Sequence, residues 1–382
     1  MRENMKILHV ADTHLGYSAY RRTTDDGVNQ REQDVYDAFK SFVDQALEEK
    51  PDVILHAGDL FDSVRPSNRA ITFALEQILR LSKNNIPFVL IDGNHEHPKL
   101  RETGHIFRIF EHVEHVHPVY KETYEPVLLE RRGRKIMIHA IPHCTSTTRF
   151  EHEFRKIRIN DSYDYNILLI HGSAEGVPDY DHSMNEFNDL SLSSSMLTLD
   201  FDYIALGHYH KYTQVKDNAW YPGSTEHLTF TEANDRKGYI KLDEQLKPSF
   251  IELKTRPMID TDPIDCTSQS VTGIMNRIED LLERVKPNGK VIRINLSNIQ
   301  PTVYRGLDFK RIKDLCRDSV HYEIKPVYSN DYQMRKLDSA RISSLTSEFR
   351  RFMDQQVIDD KDTILKLGLE YIEKITSRKD EV

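Results

Sequence analysis

Short apolar runs recur along the first two thirds of this sequence, and a polar cluster follows each one. Runs of this length predict strands that are buried on both faces of a sheet. Between them, apolar residues recur at helical spacing over residues 32–49 and 68–83, which predicts two helices. This alternation of strand and helix favours an α/β fold built in layers. The predicted strands lie at residues 7–10, 53–55, 88–91, 167–170 and 203–206.

The pattern becomes richer in strands from about residue 128. Apolar stretches at 127–129 and 136–138 flank an Arg-Arg-Gly-Arg turn, which predicts a β-hairpin. After a break at Arg256-Pro257, a small α+β unit is predicted, with a helix at 271–285, a strand at 291–296 and a helix at 309–317. We therefore expect a first domain over residues 1–256, a capping domain over 257–329 and a terminal segment over 330–382.

The terminal segment has two apolar stripes at helical spacing, which predict a helical hairpin. A pair of helices at a chain end has little core of its own, so its apolar faces need a cover. Either this chain's own second domain or a partner protein could cover these faces, and we favour the partner. The stripes consist of Ile342, Leu345, Phe349 and Phe352 on one helix and Leu365, Leu369 and Ile372 on the other.

Composition and charge narrow the class of protein. A chain of 382 residues, 38% of them hydrophobic, can bury the cores of two compact units. Its net charge of -9 argues against a protein that coats nucleic acid through bulk electrostatics, although bound cations would return positive charge locally. Three cysteines without CxxC spacing fit neither a disulfide framework nor a zinc ribbon. Because the sequence has no run of about 18 apolar residues, we expect no membrane span and a cytoplasmic location.

Each of the five predicted strands ends in side chains that can bind a metal ion. Ligands bind beyond the carboxyl ends of strands in open α/β sheets. Carboxylate, amide and imidazole groups without thiolate suit manganese, iron or zinc, and the set exceeds what one ion needs, which indicates two ions that share a carboxylate. A lone histidine or Gly-Asp pair is more often a capping or core residue. The metal site is therefore indicated by all of these strand-end residues together and not by any one of them. The candidates are Asp12, His14, Asp59, Asn94, His95, His171, His208 and His210.

The order D-x-H, G-D, G-N-H, H-G and G-H-x-H resembles the calcineurin-like metallophosphoesterase family. Longer stretches resemble the Meiotic Recombination Eleven and SbcD nucleases within that family. These stretches are ADTHLGY at 11–17, AGDLFDSVRP at 57–66, GNHE at 93–96, ALGHYHK at 205–211, YPGSTE at 221–226 and IELKTRP at 251–257. The resemblance implies a four-layer α/β/β/α sandwich with a small α+β capping domain and a C-terminal helical hairpin.

Carried over position by position, the resemblance implies two manganese ions per chain, with Asp59 as the ligand that they share. His95 would stabilise the scissile phosphate or protonate the leaving oxygen, in keeping with the titration of an imidazole near neutral pH. Where many relatives have a histidine, this chain has Asp62, which puts a second histidine contact to a DNA end in doubt. The implied ligands are Asp12, His14 and His210 for one ion, and Asn94, His171 and His208 for the other.

The resemblance also implies an activity and partners. It implies a manganese-dependent DNA exonuclease and endonuclease that hydrolyses phosphodiester bonds at double-strand breaks as a homodimer. The terminal hairpin would bind an ATPase of the SbcC/Rad-fifty type, and residues 68–83 and 101–110 are a candidate dimer contact. Four polar side chains near the metals either contact DNA or belong to solvated loops, and the sequence favours neither role. They are Tyr17, Arg21, Arg22 and Arg65.

Two rival functions stay open from the sequence. A phosphoprotein phosphatase or another phosphodiesterase would use the same fold. In those phosphatases the bridging-aspartate motif continues GDxxDRG, whereas Asp59 is followed here by Leu60-Phe61-Asp62-Ser63. A catalytically idle scaffold that tethers DNA and the ATPase is the other rival, and the complete ligand set argues against it.

Overall fold

The computed structural model describes residues 5–98, 100, 103–175, 177, 190–329, 346, 349–350, 353 and 361–376. Within them the strands are β1 (Ile7–Val10), β2 (Val53–Ala57), β3 (Phe88–Ile91), β4 (Val116–Val119), β5 (Glu125–Arg131), β6 (Arg134–Ile141), β7 (Tyr165–His171), β8 (Ser173–Ala174), β9 (Ser191–Leu192), β10 (Tyr203–Gly207), β11 (Thr213–Lys216), β12 (Ala219–Tyr221), β13 (Gly238–Leu242), β14 (Pro248–Glu252), β15 (Met258–Asp260), β16 (Ile264–Asp265), β17 (Val291–Ile299) and β18 (His321–Tyr328). The helices are α1 (Gln30–Glu49), α2 (Asn68–Lys83), α3 (Thr147–Phe154), α4 (Val271–Val285), α5 (Pro301–Arg305), α6 (Phe309–Leu315) and α7 (Lys361–Thr376). Short 3₁₀ turns lie at Ile106–Phe110, Met196–Thr198 and Phe230–Glu232.

The first sheet has six strands in the order β14-β13-β1-β2-β3-β4. Strands β1 to β4 run parallel to one another, and α1 and α2 are the crossovers that parallel pairing requires. Strands β1 and β3 and helix α2 have the predicted bounds. Helix α1 begins earlier than predicted because the side chain of Asn29 caps it, accepting the N–H groups of Arg31 and Glu32.

The second sheet has six strands in the order β11-β12-β10-β7-β6-β5. Strands β6, β7 and β10 are parallel, and β5 pairs antiparallel with β6 as the predicted hairpin. Both hairpin strands are longer than the apolar stretches that predict them. The residues added next to the turn are polar and not buried, whereas β6 also continues beyond residue 138 through three buried residues, His139, Ala140 and Ile141. In the register of β7 and β10, His171 lies opposite Gly207, so the carboxyl ends of these strands are level.

Three apolar cores separate four layers. One core joins α1 and α2 to the first sheet and includes Phe39 and Ile78. The second lies between the sheets, where Leu55 of the first sheet packs in one cluster with Leu169 of the second. The third covers the outer face of the second sheet together with α3 and includes Phe150. The expected four-layer α/β/β/α sandwich is therefore confirmed.

The chain divides into two compact units that alternate along the sequence. The first comprises Met1–Thr261, Leu281–Ile294 and Lys310–Glu323, and the second comprises Asp262–Asp280, Asn295–Phe309 and Ile324–Val382. Within the first unit β15 pairs parallel with the start of β17, with Met258 opposite Val291. Within the second unit β16 pairs parallel with the end of β17, with Ile264 opposite Leu296. The domain boundaries expected from the sequence stay predictions.

Helix α7 packs closely against Phe349. A Cβ added to Gly368 would lie 2.3 Å from the Phe349 ring, so only a glycine permits this contact. The predicted apolar stripe of α7 is half-buried and consists of Leu365, Leu369 and Ile372. Three other apolar side chains of α7 are exposed, namely Ile364, Leu367 and Tyr371.

Some predictions for the terminal segment lie outside the described residues, namely Ile342, Leu345 and Phe352. In the part of the chain that the structure describes, no helix has both the length and the apolar character that a membrane crossing requires.

His9 is a fully buried imidazole on β1. Its Nε2–H donates to the carbonyl of Leu206 at 3.1 Å, and its Nδ1 accepts from the hydroxyl of Tyr203 at 3.0 Å. Burial lowers the pKa of His9 to about 3, although the bond to Leu206 acts to raise it. The ring is therefore neutral and makes a hydrogen bond at each nitrogen.

We expect acid to destabilise the protein through His9. Because its pKa is depressed from 6.5 to about 3 in the folded chain, the unfolded chain binds more protons between these values, and stability falls as the pH falls through this window. His9→Gln keeps a donor and an acceptor and should remove roughly 1 kcal/mol of this loss per pH unit. Urea denaturation of both proteins at neutral and mildly acidic pH measures the effect. An equal loss in both proteins would contradict it.

Gly58 and Gly27 form a matched pair for testing how tightly the two sheets meet. Both have positive φ, +93° and +74° respectively, so alanine at either position costs about 1–2 kcal/mol of backbone strain. A Cβ on Gly58 would lie 2.3 Å from Nδ1 of His171, whereas one on Gly27 would have nothing within 4 Å. We expect Gly58→Ala to lower the free energy of unfolding by roughly 1–3 kcal/mol more than Gly27→Ala. Equal effects in urea denaturation would show that the contact with His171 is not restrictive.

Candidate metal centre

The loops after β1, β2, β3, β7 and β10 meet at one edge of the sandwich. Backbone bonds tie the first two loops together, since Asp12 N–H donates to the carbonyl of Gly58 at 3.1 Å and His14 N–H donates to that of Asp59 at 3.0 Å. Asp12, His14, Asp59 and His208 have φ values of 51°, 44°, 53° and 112°. Such strained backbone in residues other than glycine is concentrated at functional sites.

Asp12, His14 and His210 form one group whose ligand atoms lie within 4.8 Å of one another. The Nε2 atoms of His14 and His210 face each other at 3.1 Å. Nδ1 of His210 donates to Oε1 of Glu232 at 3.2 Å, which leaves Nε2 of the neutral ring with a lone pair. The group thus brings a carboxylate and an imidazole lone pair to a common point.

His171 is the centre of the second group. Its Nε2 lies 3.3 Å from Oδ2 of Asp59 and 2.9 Å from Oδ1 of Asn94. Its Nδ1–H donates to the carbonyl of Ala57 at 2.8 Å. Because the Ala57 carbonyl holds the Nδ1 proton, the ring turns its other nitrogen toward the carboxylate and amide oxygens.

Asp59 is the carboxylate that lies between the two groups. Its Oδ2 is 3.8 Å from Nε2 of His14 and 3.3 Å from Nε2 of His171. The ring of His208 stands 5.3 Å from that of His171, centroid to centroid, and its backbone N–H donates to Oδ1 of Asp12 at 2.9 Å. The structure therefore brings all the ligands predicted from the sequence together around Asp59.

The chemistry of this donor set fits divalent cations. Asp12 and Asp59 are each 1% exposed, and two carboxylates buried side by side need compensating positive charge. Burial raises the pKa of Asp12. Burial would also raise the pKa of Asp59, but the charges of His171 and His95 hold it well below its ordinary value. The carboxylates in turn raise the pKa of His171 to about 9, against burial. Bound cations would supply the positive charge that the histidine protons otherwise provide.

His95 lies half-buried at the rim of this site. Its backbone N–H donates to Oδ1 of Asp59 at 3.1 Å, and its ring Nδ1–H donates to the carbonyl of Asp62 at 3.2 Å. Its ring centroid is 4.7 Å from that of His14. Asp62 also places a carboxylate oxygen 3.3 Å from Nδ1 of His14.

A further cluster with ligand-like spacing, formed by Asp92, His97 and His105, is joined by hydrogen bonds. Nδ1 of His105 accepts the N–H of Phe107 at 3.1 Å, so its Nε2 carries the proton that it donates to Asp92 at 2.8 Å. His97 donates to Asp92 at 2.7 Å and to Glu122 at 3.1 Å. Against the effect of burial, these carboxylates raise the pKa of His97. Asp92 thus accepts an imidazole N–H from both histidines.

Two of the predicted DNA contacts are engaged within the chain. The hydroxyl of Tyr17 donates to the carbonyl of Leu228 at 2.6 Å. Nη1 of Arg22 donates to the carbonyls of Arg317 and Ser319 at 3.2 and 2.8 Å. These side chains fasten the loop after β1, and the sequence pattern does not reveal these distant acceptors.

The other two predicted DNA contacts, Arg21 and Arg65, are exposed. Arg65 lines an open hollow of about 540 Å³ that reaches the ring of His95. Val64 and Leu100 line the same hollow. A cation and two apolar side chains thus stand beside the rim of the candidate metal centre.

Sequence reasoning does not find Glu232 and Lys237, which lie next to His210. The carboxylate of Glu232 accepts from Nδ1 of His210 at 3.2 Å and from Nζ of Lys237 at 2.6 Å. Neither residue follows a strand that the apolar pattern predicts. The one local signal is the spacing of Thr229 and Glu232, a capping box at the start of a 3₁₀ turn.

Comparisons with known proteins identify the family of this chain. The family model of the calcineurin-like phosphoesterases matches residues 5–212. Similar curated proteins include the DNA double-strand break repair protein Mre11 of Thermoplasma acidophilum, 32% identical over 239 residues that cover 61% of this chain and 59% of that protein. The Mre11 protein of Methanococcus maripaludis is 31% identical over 244 residues, or 61% of this chain and 60% of that protein. This chain thus spans about three fifths of the length of these two relatives.

A longer match is found with the Mre11 protein of Methanocaldococcus jannaschii, which is 30% identical over 307 residues, 76% of this chain and 77% of that protein. The family model extends from before Asp12 to beyond His210, so it includes every strand end that contributes a predicted ligand. These matches confirm the resemblance seen in the sequence motifs. The chain therefore belongs to the calcineurin-like phosphoesterase family, in the group of the Mre11 DNA double-strand break repair proteins.

Proposed function

We propose that this protein is a manganese-dependent DNA nuclease with two metal ions per chain, acting at double-strand breaks. The observation that carries this proposal is the convergence of buried carboxylates and imidazoles around Asp59, beside the ring of His95. The names of the Mre11 relatives, DNA double-strand break repair proteins, support a DNA substrate. When bound, the two cations supply Lewis acidity and neutralise charge at the phosphoryl group.

In this proposal each metal has its own group of ligands, and Asp59 belongs to both. The facing Nε2 atoms of His14 and His210, 3.1 Å apart, support the first group. The contacts of His171 with Asp59 and Asn94 support the second. The complete sets are Asp12, His14, His210 and Asp59 for one ion, and Asn94, His171, His208 and Asp59 for the other.

His95 acts on the substrate in this proposal rather than on a metal. Its Nδ1–H is donated to the carbonyl of Asp62, which fixes the ring at the rim where a phosphate would lie. A positioned imidazole can transfer a proton to a leaving oxygen. The exposed cations of Arg65 and Arg21 are the proposed contacts to the DNA backbone, since arginine binds phosphate oxygens through its guanidinium. The proposed reactions are 3′-to-5′ exonuclease and single-strand endonuclease cleavage.

We expect His95→Ala to separate catalysis from metal binding. Loss of a positioned proton donor should slow cleavage of duplex and single-stranded DNA by about 100-fold or more, while the metal ligands stay in place. Asp59→Asn should lose both cleavage and Mn²⁺ affinity, because it removes the shared carboxylate. Gel assays with end-labelled DNA and calorimetric titration with Mn²⁺ measure the two effects. Asp37→Asn is the matched control, since Asp37 is bonded to Gln33 on the exposed face of α1.

Each rival function predicts a different outcome of the same assays. Hydrolysis of phosphoserine peptides with no DNA cleavage would favour a phosphatase. DNA binding without hydrolysis of either substrate would favour a scaffold. Undiminished DNA cleavage by Asp59→Asn would contradict the shared-metal site.

We further propose that the terminal helix binds an ATPase of the SbcC/Rad-fifty type and that the chain forms a homodimer, with α2 as a candidate contact. Support for the first part comes from α7, where Ile364, Leu367 and Tyr371 are 43%, 51% and 65% exposed. Their spacing places them along one side of a helix. An exposed apolar stripe of this kind fits a helix-in-groove contact. The half-buried stripe predicted from the sequence would then support α7 from its other side.

We expect Leu367→Asp to weaken binding of the ATPase subunit by roughly 10–100-fold, as removal of a central apolar contact does. DNA cleavage by the chain without the ATPase should not change, because Leu367 lies outside the metal centre. Leu128→Asp is the control, since Leu128 is a 46% exposed leucine on β5. Fluorescence titration of the labelled chain with the ATPase measures affinity. Equal affinity of the Leu367→Asp and parent chains would show that this stripe is not the contact.

A further inference from the structure

Lys237 is a lysine whose ammonium is buried completely. Its side chain is 0% exposed, and burying an ammonium without partners costs several kcal/mol. All three of its donors have acceptors, namely the carbonyl of His210 at 2.7 Å, Oγ of Ser224 at 2.9 Å and Oε2 of Glu232 at 2.6 Å. The ammonium is therefore fully satisfied, and one of its acceptors belongs to a proposed metal ligand.

Glu232 is the buried anion that matches this cation. Its Oε1 accepts from Nδ1 of His210 at 3.2 Å and from Oγ1 of Thr229 at 3.1 Å, and its Oε2 accepts from Lys237 and from the N–H of Leu228 at 3.2 Å. Burial would raise the pKa of Glu232, but the charge of Lys237 holds it well below its ordinary value. Both oxygens are thus occupied, and the carboxylate stays ionised.

The buried pair holds His210 at two points. Lys237 fixes the backbone through the carbonyl, and Glu232 fixes the ring through the proton on Nδ1. With the proton on Nδ1, the lone pair is on Nε2, which faces Nε2 of His14. A carboxylate on the far nitrogen is the usual means of orienting a metal-binding imidazole.

We propose that Lys237 and Glu232 are positioning residues that set the tautomer and orientation of His210 for one of the two metal ions. This inference rests on the proposed function, because it takes His210 as a metal ligand. A purely structural ion pair would stabilise the loop between β12 and β13 without affecting metal affinity. The two possibilities differ in what happens to Mn²⁺ binding when the charge of Lys237 is removed.

The test is calorimetric titration of the full chain with Mn²⁺, comparing the parent with Lys237→Met and Glu232→Gln. Each variant should bind one of two Mn²⁺ ions about 10–100-fold more weakly, the usual effect of losing an outer-shell partner, and the other ion with unchanged affinity. Lys241→Met is the matched control, because Lys241 lies four residues further along the chain, on β13, and its half-buried side chain bonds Glu49 at 2.7 Å, away from His210. Near-UV circular dichroism establishes that each variant is folded.

Folded variants that bind both Mn²⁺ ions with the parent's affinities would overturn the positioning role. A parent chain that binds no Mn²⁺ would overturn the proposed function instead, so the two failures are distinguishable. The metal-free parent chain provides a test that needs no folded variant at these positions. Imidazole nitrogen NMR, with the His210 signals assigned by their loss in His210→Gln, should show the proton of His210 on Nδ1. Absence of a proton from Nδ1 of His210 would overturn the proposal.

Discussion

The structure of this edge of the sandwich depends on holding two carboxyl groups, Asp12 and Asp59, next to each other with almost no exposure to water. Buried charge of one sign is destabilising unless charges of the other sign or many donors surround it. Here the surrounding groups are imidazoles, which bind protons or metal ions as conditions dictate. The site therefore suits cations, whose positive charge would compensate the two carboxyl groups.

In three imidazoles of the site, a hydrogen bond at Nδ1 fixes the orientation of the ring. Nδ1 of His171 donates to the carbonyl of Ala57, Nδ1 of His210 donates to Glu232, and Nδ1 of His95 donates to the carbonyl of Asp62. Each ring thus has one nitrogen held by a neighbouring oxygen. The close packing of strand ends that permits these bonds requires Gly58, where any side chain would meet His171.

Much of this arrangement is predictable from the sequence, because parallel strands carry their ligands to one edge and apolar runs reveal the strands. Asp12, Asp59 and His171 each follow such a run within four residues. Lys237 and Glu232 are not predictable, because their roles depend on a contact with His210 more than twenty residues away in the chain. In the sequence, Lys237 and Glu232 also look like the charged residues of any solvent-exposed turn.

The same limit applies to surfaces. Arg22 looks like a free cation in the sequence, but its acceptors are carbonyls of Arg317 and Ser319, which no local pattern can reveal. On α7 the periodicity predicts an apolar stripe correctly but cannot say which side packs inward. That choice follows from the contact of Phe349 with Gly368, which leaves Leu367 on the exposed side.

The central claim is that two metal ions share Asp59, and electron paramagnetic resonance of the Mn²⁺-loaded chain tests it most directly. We predict the spectrum of a magnetically coupled Mn²⁺ pair, lost in Asp59→Asn; a spectrum of isolated Mn²⁺ ions in the parent chain would contradict the account.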